Sequence, residues 1–87
     1  MASNTHSVVF YGLSTCIHCR HAREFLEEHD VPFELHYVDQ AEGTERANLL
    51  SKVKEYNPAI SFPTIVIDGS TCIVGFRPEA MTEALGL

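Results

Sequence analysis

The 87-residue chain has little positive charge: six Lys and Arg stand against twelve Asp and Glu, a formal net charge of −6. A surface of that sign repels phosphate backbones and anionic lipid heads and leaves no basic stripe, so nucleic-acid binding is disfavoured. Long apolar runs are missing too. No stretch approaches the roughly 18 apolar residues of a membrane span, and "MASNTHSVVFYG" lacks the charged segment and apolar run of a leader, so we expect no membrane partner and a cytoplasmic location. Cysteine is sparse. Three cysteines in a reducing compartment cannot be a disulfide scaffold, and an odd count cannot all pair within one chain. Repeats, linkers and low-complexity runs are also absent, and the length is below that at which chains divide. One domain spanning residues 1–87, working as a monomer, is expected.

What is present is an alternation of strand and helix signals. "SVVFY" (Ser7 to Tyr11) is a β-branched and aromatic run stopped by Gly12, the profile of a buried strand. After a loop from Gly12 to Thr15, Ala22, Phe25 and Leu26 fall at helical spacing between Ile17 and about His29, with Arg23, Glu24, Glu27 and Glu28 outward. Asp30, Val31 and Pro32 end that helix. "FELHYVD" (Phe33 to Asp39) alternates, with Phe33, Leu35 and Tyr37 on one side, and reads as a second strand. A second helix, roughly Glu42 to Tyr56, presents Ala47, Leu50 and Val53 on one face, widened by Leu49 and Tyr56, until "NPAISFP" breaks it. "TIVID" (Thr64 to Asp68) and "TCIVG" (Thr71 to Gly75) form a hairpin through "GS" (Gly69, Ser70), read as a two-residue type II′-like connection. Pro78 suits the first position of a last helix, with Glu79 in its positive-end turn and Met81, Ala84 and Leu85 as its buried stripe. The order β-α-β-α-β-β-α predicts an α/β fold: a mixed four-stranded sheet flanked by three helices, with a right-handed parallel first βαβ unit and an antiparallel closing hairpin. It resembles the thioredoxin-like arrangement.

The chemistry concentrates in "STCIHCRHAREFLEEH", where Cys16 and Cys19 open the first helix directly after a strand. At a helix N-terminus the Cys16 thiolate faces unpaired backbone N–H groups and the positive end of the dipole. Cysteines in such settings have pKa values of about 3.5 to 7.5, so much of Cys16 is expected in the reactive form at neutral pH. His18, when protonated, and Arg20 and Arg23 should favour the anion further. Cys19 lies one turn deeper on the same side, placed to attack a mixed disulfide on Cys16. Two other readings compete. The pair could be two small buried residues, or half of a zinc site, although zinc wants four ligands and Cys72, His21 and His36 show no ligand spacing. Haem attachment is excluded, since it needs histidine directly after the second cysteine and Arg20 stands there.

With this pair between strand and helix, and "SFPT" ahead of a hairpin, the chain from Ser7 to Leu87 resembles the glutaredoxin family. The resemblance implies a cis peptide between Phe62 and Pro63, in the loop opposite the cysteines, with the Phe62 backbone pairing with bound thiol substrate. It implies a thiol–disulfide oxidoreductase with Cys16 and Cys19 as catalytic residues, no bound cofactor, and electrons from glutathione or a reductase. Departures from the family pattern carry information. Proline and tyrosine are usual between the cysteines; Ile17 and His18 stand here. Histidine in the second place resembles DsbA-type oxidases, whose potential is about −120 mV against about −200 to −230 mV for glutaredoxins, so a shift toward oxidising values is expected. The family's glutathione-binding lysine, three residues before the first cysteine, is Leu13, and its glycine pair with acidic residues is replaced by "GFRPEA". "GFRPEAM" (Gly75 to Met81) is instead similar to NrdH-type redoxins, donors to ribonucleotide reductase that thioredoxin reductase reduces.

The substrate-binding candidates are Tyr11, His18, Phe62, Pro63, Gly75, Phe76 and Arg77. Arg77, beside a helix start, either holds a substrate carboxylate or is a solvated surface arginine. Tyr11 lines the groove or packs the core, and Phe76 touches a protein partner or caps the last helix. Cys72, alone in a strand, reads as a small buried hydrophobe, and His6, His29 and His36 as ordinary polar residues. The expected partners are disulfide-containing proteins with glutathione or thioredoxin reductase. The alternative function is a metal or iron–sulfur carrier that uses Cys16 without turnover.

Overall fold

A computed structural model describes residues 6–87; the five residues before them, which begin "MASNT", lie outside that description. In chain order it contains β1 (Val8–Gly12), α1 (Ile17–Glu28), β2 (Glu34–Tyr37), a 3₁₀ turn (Val38–Gln40), α2 (Gly43–Tyr56), β3 (Thr64–Ile67), β4 (Thr71–Val74) and α3 (Pro78–Leu85). The sheet order is β2-β1-β3-β4; β1 runs parallel to β2 and antiparallel to β3, and β3 is antiparallel to β4. This is the mixed four-stranded sheet with three helices that the alternation predicts. Among the described residues no helix is long and apolar enough to cross a membrane.

The pleat sorts side chains onto two faces, and each face has its own core. Val8 and Phe10 of β1, Ile65 and Ile67 of β3 and Ile73 of β4 meet Cys19, Ala22 and Leu26 of α1 and Met81 and Leu85 of α3 in the larger cluster. Tyr11 and Val66 point the other way and meet Val53 of α2, with Val9, Leu49 and Tyr56 around them. Each apolar stripe is buried where the helical period brings it round. Helix α1 ends in a Schellman motif: the N–H of Asp30 donates to the Glu27 carbonyl and that of Val31 to the Leu26 carbonyl. Asp30, not glycine, takes the left-handed conformation with φ 55°.

Three expected details are corrected. On α2, Ala47 is exposed, and Leu49, Val53 and Tyr56 make the inward stripe instead. Ala47, Leu50 and Val53 share helical spacing equally well, and only the sheet decides which stripe is covered. The second strand stops at Tyr37, and Val38 and Asp39 enter the 3₁₀ turn. The hairpin turns through Asp68 and Gly69, both at positive φ (56° and 68°), with the Ser70 N–H on the Ile67 carbonyl. Ile67 faces Thr71 across the hairpin, so the connection is the three residues Asp68 to Ser70, one more than the "GS" reading gave it.

The register fixes what happens at one end of the sheet. Tyr11 on β1 pairs with Thr64 on β3, and Thr64 pairs with Val74 on β4. The segments that follow Tyr11, precede Thr64 and follow Val74 therefore emerge together. The middle one is held by buried Asn57, whose amide lies 3.0 Å from the Ser61 hydroxyl and 3.1 Å from the Thr64 hydroxyl, while Thr64 donates to the Ser61 carbonyl at 2.7 Å.

Candidate active site

At that end lie the loop from Gly12 to Cys16, the Phe62-Pro63 segment and the Gly75-Phe76-Arg77 segment. The Phe62-Pro63 peptide is cis, as the family resemblance implies. The Gly75 N–H, at a residue with φ 84°, donates to the Pro63 carbonyl at 2.8 Å and ties the last two segments together.

All three cysteines are free thiols. Cys16 is the N-cap of α1, with extended φ −90° and ψ 125°, so its side chain stands over the first-turn N–H groups. Its N–H donates to the Leu13 carbonyl at 3.2 Å and its carbonyl accepts the Arg20 N–H at 3.0 Å, which closes the first helical turn. Cys19 is buried, 1% exposed, among the residues of the larger core. The Leu13 N–H points at its sulfur from 3.4 Å. Leu13 thus serves both cysteines, its carbonyl for the backbone of one and its N–H for the sulfur of the other.

This placement divides the pair. Partial burial opposes ionisation of Cys16, but the Cys19 N–H, the Cys19 thiol and the His18 N–H outweigh it and bring its pKa below the ordinary thiol value. Burial pushes Cys19 up to about 12, the Leu13 N–H offsets part of that, and the neighbouring Cys16 and Asp39 add to the rise. The half-buried Cys16 ionises more readily than an ordinary thiol, and the buried Cys19 holds its proton. Cys16 alkylation should therefore lose rate only below its lowered pKa, tenfold per pH unit, while Cys19 stays unmodified through neutral pH; iodoacetamide labelling followed by peptide mass mapping from pH 5 to 10 measures both.

The basic residues contribute differently from expectation. The Arg20 Nε pairs with Glu24 at 3.2 Å and the Arg23 Nη1 with Glu27 at 3.1 Å, each one turn along the helix and spent on its own surface. Ionisation of Cys16 is favoured instead by the Cys19 and His18 N–H groups and by the Cys19 thiol. His18 and Ile17 are exposed, and what position 18 supplies to Cys16 is its backbone.

Other candidates separate in the same way. Tyr11 is buried on the α2 face and stacks on His36 at 5.6 Å, so of its two roles the structure gives it core packing. Phe62 is half-buried and packs against both cores, and Pro63 is buried behind it. Phe76 meets the rings of His21 at 5.8 Å and Phe25 at 6.2 Å, so it packs on α1 while part of it stays open. Arg77 is exposed at the N-cap of α3, with no side-chain cap bond. Cys72 is half-buried on β4, less enclosed than a core cysteine, and burial raises its pKa. His6 pairs with Asp68, His29 donates to the Phe25 carbonyl and His36 pairs with Glu34. Among the described residues no three His, Cys, Asp or Glu side chains gather closely enough to hold a metal ion.

Two residues of the site carry no local sequence signal. Gly12 has no room for a side chain: a Cβ there would sit 2.7 Å from the Phe10 ring and 3.3 Å from the Cys19 sulfur. Asp39, beyond β2, accepts hydrogen bonds from the N–H (3.0 Å) and the hydroxyl of Ser14. Pairing of Gly12 with Tyr37 in the parallel β1–β2 ladder could have pointed to it, since Ser14 and Asp39 each lie two residues further on.

The glutaredoxin family profile matches residues 8–72. The structure of methanoredoxin from Methanosarcina acetivorans is similar at 40% sequence identity, with a TM-score of 0.90, covering 93% of this chain and 85% of that one. The glutaredoxin of Methanosarcina mazei Go1 is similar at 36% identity and a TM-score of 0.88, over 97% of this chain and 88% of that one. The glutaredoxin-like NrdH-redoxin of Escherichia coli shares the fold at 19% identity and a TM-score of 0.66, covering 88% of this chain and 92% of that one. No curated protein sequence matches the chain.

Proposed function

From the premise that the chain belongs to the glutaredoxin family, we propose that it is a dithiol–disulfide oxidoreductase acting on protein disulfides in a reducing compartment, the cytoplasm. The observation that carries this reading is the division of the pair into a half-buried, more acidic cysteine at a helix N-terminus and a buried one a turn behind it that holds its proton. The Cys16 thiolate attacks a substrate disulfide: one Cys16–substrate S–S bond forms, the substrate S–S bond breaks, and the released sulfur takes up a proton. Cys19 then gives up its proton and bonds to the Cys16 sulfur, and the second substrate sulfur leaves as a thiol. Two thiols of the protein have become a disulfide and one substrate disulfide has become two thiols.

Substrate rests against the cis Phe62-Pro63 segment, with Gly75 and the open part of Phe76 alongside and Arg77 within the same end of the sheet for a substrate carboxylate. His18, exposed between the cysteines, meets whatever docks there, and we expect it to shift the potential toward oxidising values. No bound cofactor is needed, because the two electrons pass from the Cys16/Cys19 dithiol to the substrate disulfide and are restored by the external reductant. Leu13 in place of the family's lysine, and "GFRPEA" at the last helix, favour thioredoxin reductase over glutathione as donor.

The test uses the oxidised protein with NADPH and either thioredoxin reductase or glutathione plus glutathione reductase. Faster NADPH consumption with thioredoxin reductase is expected, and the reverse ranking would make glutathione the donor. A disulfide that neither system reduces would overturn the redox reading.

A further inference from the structure

We propose that Asp39 is a positioning residue for the thiol pair, held by Ser14 so that its charge keeps the proton on Cys19 in the reduced protein. The proposal rests on the dithiol reading above and adds the group that keeps the two cysteines in different states.

The placement follows from strand register. Gly12 and Tyr37 close the parallel β1–β2 ladder, and two residues beyond each the chain brings Ser14 and Asp39 face to face. Both carboxylate oxygens are engaged, Oδ1 by the Ser14 N–H at 3.0 Å and Oδ2 by the Ser14 hydroxyl. Ser14 directly follows Leu13, whose N–H meets the Cys19 sulfur at 3.4 Å. On its other side the 3₁₀ turn is tied to α2, since the Arg46 guanidinium donates to the Asp39 carbonyl at 3.2 Å and to the Ala41 carbonyl at 2.9 Å. The carboxylate is exposed but tethered at this end of the sheet by its two bonds to Ser14.

The charged and titratable groups around the two partners are few. Cys19 faces Cys16 on its own helix, the Leu13 N–H from the loop, and Asp39 from beyond β2; Asp39 faces Ser14 and the Arg46 cation of α2. Hydrogen bonds from Ser14 hold the Asp39 carboxyl below the usual carboxylate range, so it is charged at working pH. A fixed negative charge beside a buried thiol opposes a second one on the sulfur. Burial is the larger cause of the raised Cys19 pKa, and Asp39 adds to it. In the resting protein the consequence is that Cys16 ionises first and Cys19 stays a thiol, instead of two adjacent anions. When Cys16 is tied up in the mixed disulfide its charge is gone, and the Cys19 proton can pass to the departing substrate sulfur as the Cys16–Cys19 bond forms.

The experiment isolates Cys19 in a Cys16→Ser background and measures its iodoacetamide alkylation at pH 8 to 9.5 by peptide mass mapping. In that range the rate is proportional to the thiolate fraction. Asp39→Asn keeps an acceptor for the Ser14 N–H and removes only the charge; it should raise the Cys19 rate about threefold, a pKa fall of about half a unit for a solvent-facing charge. Asp39→Glu keeps the charge and should stay near the parent rate. A residue that only props the loop would give the opposite order, since asparagine fits the Ser14 contact better than glutamate. An Asp39→Asn rate equal to the parent, or equal rates for the two variants, would overturn the proposal. The measurement needs no turnover, so its failure leaves the exchange reading standing, while failure of that reading shows only in the reductase assays.

Discussion

Replacing Cys16 with serine is expected to abolish disulfide exchange, by at least about a thousand-fold in kcat/KM, with the fold retained. Serine keeps the N-cap position and even suits it better, since its hydroxyl is a good acceptor for first-turn N–H groups. What it cannot supply is a sulfur nucleophile that ionises more readily than an ordinary thiol. Cys19→Ser should behave differently: the attack by Cys16 still happens, the mixed disulfide then persists, and only substrates that a second external thiol can release turn over. A thiol–disulfide assay paired with intact-protein mass spectrometry reads both, as lost rate in one variant and as a protein–substrate adduct in the other. Residual full turnover by Cys16→Ser would mean that another group starts the reaction.

The second large effect is expected at Gly12. Its backbone does not need a left-handed conformation; what it needs is the absence of a side chain, since a Cβ would stand 2.7 Å from a ring carbon of Phe10. Phe10 is fully buried and lies 5.9 Å from the Phe33 ring, so it has little room to yield. Overpacking of this kind costs about 1–3 kcal/mol for one methyl group, and for a chain of this size that lowers Tm by roughly 5–20 °C. Gly12→Val should be worse than Gly12→Ala. Strain relieved on the other side would push on the Cys19 sulfur, so Gly12→Ala should also slow resolution of the mixed disulfide at temperatures where it remains folded. Calorimetry combined with single-turnover release of substrate separates the two losses, and an unchanged Tm would refute the steric argument.

These two positions mark where sequence reading works and where it stops. Cys16 was legible because its signal is local: a strand, a loop and an amphipathic helix in succession make the first cysteine an N-cap whatever the rest of the fold does. The strands and helices were legible for the same reason, through periods of two and 3.6 residues. Gly12 and Asp39 matter because β1 presses on α1 and because β1 and β2 run parallel in one particular register, and neither fact is contained in a short window. The stripe of α2 illustrates the middle case. Two helical faces had similar apolar content, and the choice fell to the sheet surface carrying Tyr11 and Val66. The role given to Arg20 and Arg23 failed differently: proximity in sequence to Cys16 was real, but Glu24 and Glu27, four residues on from each, took the guanidiniums. The cis Phe62-Pro63 bond was legible only through the family resemblance.

The exposed pair Ile17 and His18 has one more consequence. Ionisation of Cys16 is favoured there by main-chain N–H groups, which every residue except proline carries, and by the Cys19 thiol, while the side chains at these positions add nothing to either core. Changing these two side chains should therefore leave the fold's stability nearly untouched. The surface that meets a substrate and the packing that holds the helix are thus carried by different residues of the same turn.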